Sequence, residues 1–350
     1  MPLISILLSC AFASSMVPAI LHFAHKQGLY DSLNERKIHN GNIPRLGGVG
    51  IASAFLLTAI IIVLLQQSLL ADFNDQFIIW PIIVSGTAIF LLGLIDDLVD
   101  LKARLKLLVQ TLAAIFLIAF GFRFRVINVP WGRGFIDLGL FSYPLTFLWI
   151  IGITNAMNLI DGLDGLAGGI SFIAACTFGI FFWVQGSLLS AELCFALSGA
   201  VAGFLIFNFP PAKIFMGDSG SLFLGFCLAF LPLMGQRGEK VELGLVSAST
   251  ILALPIFDTF AAIYRRRRAK VSFFTADKNH FHHILLQKVK STRKVLLIAY
   301  GINLLLAMVA LSTLYLSRAG SFSLKISALA IVAVFFILIN GKSIKGKRPE

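Results

Sequence analysis

Charged residues are scarce in this sequence, and acidic residues are the scarcer sign. Of its 350 residues, 13% are charged and 17 are aspartate or glutamate, whereas 58% are hydrophobic. Soluble domains usually have about 25% charged residues and an apolar share near one half. The composition therefore excludes an ordinary soluble domain and indicates a membrane protein.

Cysteine is also scarce, and its pattern excludes two kinds of site. Each of the four cysteines falls in an apolar stretch, without the paired spacing of a disulfide framework or a zinc site. Internal repeats and low-complexity linkers are lacking as well. The sequence therefore predicts one membrane-embedded domain over residues 1–350.

Long apolar stretches recur along the whole chain. A helix needs about 20 apolar residues to cross a hydrocarbon core of ~30 Å. The sequence predicts an all-α, polytopic membrane protein with eleven transmembrane helices, or ten, because the eighth stretch is short and the fifth is polar. The stretches are about 3–25, 46–67, 77–95, 104–121, 143–158, 167–185, 189–208, 220–234, 243–264, 295–316 and 322–340.

The basic residues predict how the chain is oriented. No basic residue precedes the first apolar stretch, which predicts a retained helix with the N-terminus outside. Alternate loops and the C-terminal tail hold 22 of the 29 lysines and arginines, and such loops are cytoplasmic. The largest groups lie in a loop at 265–294 and a tail at 341–350. The net charge of +12 thus predicts contact with anionic membrane lipid and not with nucleic acid.

Seven of the acidic residues lie at the predicted cytoplasmic ends of apolar stretches. A proton-coupled transporter usually has its ionisable residues near the midplane, whereas an enzyme at the membrane surface needs them at one interface. The location therefore favours an enzyme, although a single carboxylate such as Asp258 is interpreted as the mark of a helix end. The seven are Asp96, Asp97, Asp100, Asp161, Asp164, Asp218 and Asp258.

The first motif is D-D-x-x-D, formed by Asp96, Asp97 and Asp100. If the helix continues through it, Asp96 and Asp100 share a face, and the like charges repel. A cation is therefore expected beside them, either a metal ion or one of Lys102, Arg104 and Lys106.

The second motif, NAMNLIDGLDGLAGG at 155–169, combines amides, carboxylates and glycines. Asn155 and Asn158 offer donors and acceptors, and glycine after each of Asp161 and Asp164 lets the backbone approach a ligand. A packing bend between two helices explains the glycines but not the carboxylates. The motif therefore predicts a loop that binds a nucleobase or a sugar.

The third motif, FNFPPAKIFMGDSGSLFLG, brings Asn208, Lys213 and Asp218 to the start of an apolar helix. Helix N-termini attract anions, so this motif predicts either a phosphate with a carboxylate-bound metal or an ordinary N-cap.

The fourth motif is the basic loop, with Arg265 to Arg268 followed by His280, His282 and His283. Neither a neighbouring cysteine nor H-E-x-x-H spacing supports a transition-metal site. The arginines alone suit the end of a membrane span. Together with the histidines they predict a receptor for a phosphorylated substrate.

In order and spacing, the four motifs and the IPRLGGVG stretch at 43–50 resemble the polyprenyl-phosphate N-acetylhexosamine-1-phosphate transferase family over nearly the whole chain. The resemblance implies transfer of a sugar-1-phosphate from a UDP-N-acetylhexosamine to undecaprenyl phosphate, with release of UMP. It implies Mg²⁺, which Mn²⁺ can replace, and a multi-pass protein of the bacterial inner membrane with a cytoplasmic active site.

The histidine pattern points to one branch of that family. The phospho-N-acetylmuramoyl-pentapeptide transferases have a straight histidine triplet, whereas here Phe281 separates the first two histidines. This resembles the N-acetylglucosamine branch, which starts O-antigen, common antigen or teichoic acid chains. Open alternatives are a fucosamine or quinovosamine type of donor, the pentapeptide branch and, outside enzymes, a lipid-linked sugar transporter; a homodimer is also open.

The resemblance assigns a role to each matching position. Asp96 and Asp97 are expected to handle the lipid phosphate, and Asp218 to bind Mg²⁺, with Asp97 a second candidate ligand. Catalysis is thus expected of Asp96, Asp97 and Asp218. Substrate binding is expected of Lys37, Arg45, Asn155, Asn158, Asp161, Asp164, Asn208, Lys213, Phe215, Arg265, Arg266, His280, His282 and His283.

Overall fold

Helices make up nearly all of the regular structure. A computed structural model describes residues 2–30, 43–67, 73–131, 134–235, 243–271 and 280–345. Strands β1 (Val126–Asn128) and β2 (Phe135–Asp137) form an antiparallel hairpin between α4 and α5. The helices are α1 (Pro2–Gln27), α2 (Gly47–Gln67), α3 (Phe73–Val99), α4 (Ala103–Ala119), α5 (Ser142–Ile160), α6 (Leu166–Val184), α7 (Leu188–Asn208), α8 (Gly217–Met234), α9 (Leu245–Ile251), α10 (Ala253–Arg268), α11 (Phe281–Val289), α12 (Thr292–Leu311) and α13 (Arg318–Lys345).

The helices confirm an all-α, multi-pass membrane protein, but with fewer full spans than eleven. In the described part of the chain, nine helices are long and apolar enough to cross a membrane, and a bent pair makes ten. The predicted span at 243–264 is that pair, α9 and α10, bent by 81°. The predicted span at 104–121 forms α4, which has 17 residues and is short for a full crossing.

Helix α8 lies at the centre of the bundle. In its span 94% of the residues are buried, compared with 22% in α1 and α13. Such a helix is hydrophobic all round because it has protein neighbours on every side. It packs against α2, α3, α5, α6 and α7, so the position of its first turn is fixed from several directions.

The glycine-rich IPRLGGVG stretch packs against the start of α8. The N–H of Phe215 donates to the carbonyl of Pro44 at 2.8 Å. In return, the N–H groups of Gly47 and Gly48 donate to the carbonyls of Phe215 and Met216 at 2.9 and 2.8 Å. These backbone bonds tie the start of α2 to the segment before α8.

The contact between Gly48 and Gly220 leaves no room for a side chain. A Cβ atom on Gly48 would overlap the backbone of Gly220, and backbone cannot move aside as a flexible side chain does. The glycine is therefore required by the close approach of α2 and α8.

Gly48→Ala should destabilise the protein by about 1–3 kcal/mol, the usual cost of overpacking a tight core. The measurement is the apparent melting temperature of the purified protein in detergent. Gly152→Ala in α5 is the matched control, because nothing lies within 4 Å of its Cβ position. Equal melting temperatures for the two variants would contradict the tight contact.

Candidate active site

The carboxylate of Asp97 caps α8 from the last turn of α3. Its Oδ1 accepts a hydrogen bond from the N–H of Asp218 at 2.7 Å, and its Oδ2 accepts one from the N–H of Ser219 at 2.9 Å. The first N–H groups of a helix lack partners within the helix, and an anion there also interacts favourably with the helix dipole. Asp97 thus satisfies two of them and holds Asp218 in place.

The ammonium of Lys106, in α4, bridges two of the predicted catalytic aspartates. Its Nζ lies 2.5 Å from Oδ2 of Asp96 and 2.9 Å from Oδ2 of Asp218. Asp96 is 8% exposed and also accepts the N–H of Leu101 at 2.8 Å. Lys106 is therefore a cation that offsets the repulsion between neighbouring carboxylates. It is one of the three basic residues that the sequence predicts for this role.

Asp100 does not join this cluster. Helix α3 ends at Val99, and Asp100 has a left-handed backbone with φ of 53° and an exposed side chain. The expectation that Asp96 and Asp100 share a helical face is wrong because the helix stops between them. The N–H of Asp100 bonds to the carbonyl of Asp96 at 2.9 Å, which closes the turn.

The two asparagines of the second motif have different hydrogen-bond partners. Asn158, near the end of α5, donates to Oδ1 of Asp218 at 3.1 Å and to Oγ of Ser221 at 2.8 Å. Asn155 lies one turn earlier and donates to Oε1 of Gln110 at 2.7 Å, which joins α5 to α4. Asn158 thus belongs to the charged cluster, whereas the amide of Asn155 is engaged with another helix.

The rest of that motif is fixed by side chains distant in sequence. Oδ2 of Asp164 accepts the N–H of Ala212 at 3.0 Å, and Oδ1 of Asn208 accepts the N–H of Gly165 at 2.9 Å. The hydroxyl of Tyr300, in α12, donates to the carbonyl of Gly165 at 2.6 Å. Asp164 and Asn208 are 8% and 4% exposed, so the geometry favours a loop-holding role, while their predicted substrate contacts stay predictions.

Asp161 follows α5 directly and is part of the same electrostatic field. Although some of its surface is accessible, burial among protein atoms raises the pKa of Asp161 to about 7. The carboxylate of Asp218 adds to this increase, and the guanidinium of Arg45 opposes it. Asp161 is thus an acid that the folded protein holds at a cost in stability, as is common at functional sites.

His282, in α11, packs directly against this loop. It is fully buried, and a Cβ atom on Gly162 would overlap its Nε2. Neither ring nitrogen of His282 has a hydrogen-bond partner among the described residues. Burial and the neighbouring His283 and His280 lower its pKa well below the usual value. A neutral imidazole, with nitrogens unsatisfied among the described residues, therefore packs against Gly162, the residue after Asp161.

The other predicted residues are placed around this centre. His280 bonds to Asp258, and the His283 ring lies 4.2 Å from that of His282. Arg265 and Arg266, in the last turn of α10, and Phe215 are partly buried, whereas Lys213 is exposed. Lys37 lies outside the described residues. None of these positions tests a substrate contact, so the roles stay predictions.

Sequence reasoning missed the residues that have no local motif. Gln110 lies in the apolar part of α4, and its polar amide in that stretch was the available signal in the sequence. In the structure it is 2% exposed. Tyr300 and Arg293 reach the site from α12, where Arg293 donates to the carbonyl of Pro210 at 3.1 Å. Asp258, interpreted as a helix-end marker, is a buried partner of the histidine segment.

Comparison with known proteins agrees with this arrangement. The profile of glycosyl transferase family 4 matches residues 79–236, which include Asp96, Asp97, Asp161 and Asp218. A relative in Bacillus subtilis strain 168 is 37% identical over 93% of this chain and 90% of its own. The chain belongs to glycosyl transferase family 4.

The names of the relatives describe one reaction. The Bacillus subtilis protein is called a probable undecaprenyl-phosphate N-acetylglucosaminyl 1-phosphate transferase. Two relatives called undecaprenyl-phosphate alpha-N-acetylglucosaminyl 1-phosphate transferase are less similar: the Yersinia pestis protein is 31% identical over 82% of this chain and 77% of its own. The Escherichia coli K12 protein is 29% identical over 83% and 78%.

The raised pKa of Asp161 predicts a pH-dependent stability. Between its ordinary value of 3.8 and about 7, the folded state keeps a proton that the unfolded state has released, so stability falls as the pH rises through this range. Asp161→Asn should therefore melt at a higher temperature than the unchanged protein at pH 8. The difference should shrink at pH 5.5. A difference that does not change with pH, measured by thermal unfolding in detergent, would contradict the assignment.

Proposed function

We propose that the protein transfers N-acetylglucosamine-1-phosphate from UDP-N-acetylglucosamine to undecaprenyl phosphate. An oxygen of the lipid phosphate forms a bond to the phosphorus that bears the sugar. The bond from that phosphorus to UMP breaks, so UMP leaves and undecaprenyl-diphospho-N-acetylglucosamine remains. The reaction is the first membrane step of O-antigen, common antigen or teichoic acid synthesis in the bacterial inner membrane.

The observation that carries this proposal is the joining of Asp96, Lys106 and Asp218 by direct contacts at 2.5 and 2.9 Å. They come from the end of α3 and the starts of α4 and α8. A lipid phosphate is anchored at the membrane surface and a nucleotide arrives from water, so both reach such a cluster. The names of the relatives give undecaprenyl phosphate and the N-acetylglucosaminyl 1-phosphate group, which supports the same acceptor and the same transferred group here.

The position of the charges also supports an enzyme over a lipid-linked sugar transporter. Transporter sites usually lie near the bilayer midplane at discontinuous helices. The bent pair α9 and α10 is such a discontinuity, but the clustered aspartates lie on α3 and α8, at helix ends. The excess of basic residues in alternate loops supports a cytoplasmic position for this end of the bundle.

Repulsion between the two substrates is the main chemical obstacle. The second pKa of a phosphate monoester is about 6, so the lipid phosphate is mostly a dianion at neutral pH and needs little help from a general base. It must approach an anionic diphosphate in a partly desolvated site. Lys106 supplies positive charge beside Asp96 and Asp218, and the N-terminus of α8 adds partial positive charge.

The carboxylate oxygens of this cluster suit magnesium. Mg²⁺ prefers oxygen ligands and commonly uses one or two carboxylates together with substrate phosphates and water. Asp96 and Asp218 each direct Oδ2 at one shared cationic group, and these two residues would hold the ion. When bound, Mg²⁺ or Mn²⁺ would supply charge that offsets the repulsion between phosphates. Both oxygens of Asp97 already accept backbone N–H groups, which favours a positioning role for Asp97.

The direct test is release of UMP by the purified full-length protein. The protein in detergent receives undecaprenyl phosphate, magnesium and one UDP-sugar at a time. We expect UMP with UDP-N-acetylglucosamine, and less with UDP-N-acetylgalactosamine or UDP-N-acetylmuramoyl-pentapeptide. No UMP with any donor from a folded preparation would falsify the transferase proposal.

Asp218→Asn should lower turnover by at least about a thousandfold, because an amide neither carries the charge nor holds a cation as a carboxylate does. The reaction is followed by UMP release at several magnesium concentrations. Asp100→Asn is the matched control, since Asp100 is exposed and asparagine tolerates its left-handed backbone. Substantial turnover by Asp218→Asn at ordinary magnesium would show that another residue holds the metal.

Gly162→Ala should raise the KM for UDP-N-acetylglucosamine about tenfold, because the new Cβ displaces His282 from the loop at the donor side. The KM for undecaprenyl phosphate should change less than twofold. Gly152→Ala serves as the control, since it adds the same methyl group to α5 without a neighbour. If both KM values rise together, the contact supports the fold and not donor binding.

A further inference from the structure

Asp258 is a buried carboxylate that the proposed reaction does not use. It lies in α10 and is 1% exposed. Its Oδ2 lies 2.7 Å from Nδ1 of His280, and its Oδ1 accepts the N–H of Phe281 at 2.9 Å. A buried carboxylate is costly unless it is well hydrogen-bonded, and here both oxygens have partners.

The two partners of Asp258 define how α11 begins. Phe281 is the first residue of α11, so its N–H is one that the helix itself leaves unsatisfied. His280 is the preceding N-cap position, and no side-chain bond of its own closes that cap. Asp258 supplies the cap from another helix and, as an acceptor at Nδ1, also fixes which nitrogen of His280 carries the proton.

The ring of His280 stacks on the ring of His282, so the position of one affects the position of the other. The rings of His280 and His282 are nearly parallel, with an interplanar angle of 6° and centroids 5.8 Å apart. His282 in turn packs on Gly162 with both nitrogens buried and unsatisfied among the described residues. A chain of contacts thus joins Asp258 to the loop after α5, although Asp258 itself touches neither that loop nor the cluster around Asp218 in any described contact.

We propose that Asp258 is a positioning residue for binding of the sugar-nucleotide donor. Through His280 and the first turn of α11, it holds His282 against Gly162 and so sets the shape of the donor side of the site. The inference rests on the proposed function, because that function makes the loop at 161–165 a donor-binding loop. It predicts that losing the carboxylate weakens donor binding while lipid binding and the chemical step are retained.

The experiment separates the charge from the packing. Asp258→Asn keeps the shape and one acceptor, and Asp258→Ala removes both. His280→Phe keeps a ring for stacking but loses the bond. Thr259→Val is the matched control, since the adjacent Thr259 hydroxyl has no partner among the described residues. Kinetics are measured on the full-length protein with UDP-N-acetylglucosamine and undecaprenyl phosphate, and folding is checked by thermal unfolding.

We expect Asp258→Asn to raise the donor KM about tenfold, the value of one charge-assisted hydrogen bond. The kcat and the lipid KM should stay within about twofold, and Thr259→Val should match the unchanged protein. The double variant Asp258→Ala with His280→Phe should have a donor KM no higher than that of the more impaired single variant, because both changes act through one contact. An unchanged donor KM in folded Asp258→Asn, or a loss confined to kcat, would overturn the inference.

A second readout does not depend on turnover. In ¹⁵N-histidine spectra, assigned with single-histidine variants, the unchanged protein should show a hydrogen-bonded Nδ1–H for His280. Asp258→Asn should lose that signal and shift the signals of His282. If the unchanged protein releases no UMP while these shifts occur, the proposed reaction is wrong but the linkage stands. If His282 does not respond, the linkage is wrong whatever the activity.

Discussion

The hydrogen bonds from the N–H groups of Asp218 and Ser219 to Asp97 join the last turn of α3 to the first turn of α8. Helix α8 is central and almost fully buried, so its start can shift only if its neighbours move. Lys106 and Asn158 both reach Asp218 from other helices. Both contacts therefore depend on the hydrogen bonds to Asp97 that hold Asp218 in position.

The same arrangement brings several carboxylates close together, which does not stabilise the fold. Asp96, Asp161 and Asp218 lie near one another, and one lysine directly bridges two of them. Burying paired charges seldom improves stability over apolar packing, because desolvation offsets the attraction. The pKa of Asp161 is raised because the attraction of Arg45 does not compensate for the burial of this carboxyl group and for its repulsion by Asp218. Carboxylates that the protein holds at a cost indicate selection for binding or chemistry.

The sequence sufficed for the apolar spans and for the motifs, because hydrophobic length and local spacing are properties of short segments. It also predicted a cation beside the D-D-x-x-D motif, either a metal ion or a basic side chain, but only the fold shows that Lys106 contacts Asp96 and that its second partner is Asp218. The end of α3 at Val99 was not predictable, since Asp100 reverses the chain through a left-handed turn that the motif does not signal. Asn155 and Asn158 look equivalent in sequence, yet their partners lie on different helices.

The least predictable contacts all come from the C-terminal third of the chain. Tyr300, Arg293 and His282 reach the segments around Gly165, Pro210 and Gly162 from α11 and α12. These contacts join residues 83 to 135 positions apart, and such separations leave no local pattern in the sequence.

The charged cluster and several contacts to the loop after α5 come from different helices. Asp96, Asp97, Lys106 and Asp218 lie on α3, α4 and α8, whereas His282 and Tyr300, which contact the loop after α5, lie on α11 and α12. Changes in α10 to α12 can therefore alter the loop without moving the charged centre, because the two groups act on different segments. In the proposed reaction the phosphates of the donor would meet the charged centre and the sugar would meet the loop after α5, so a change in the loop would leave the residues that face the phosphates in place.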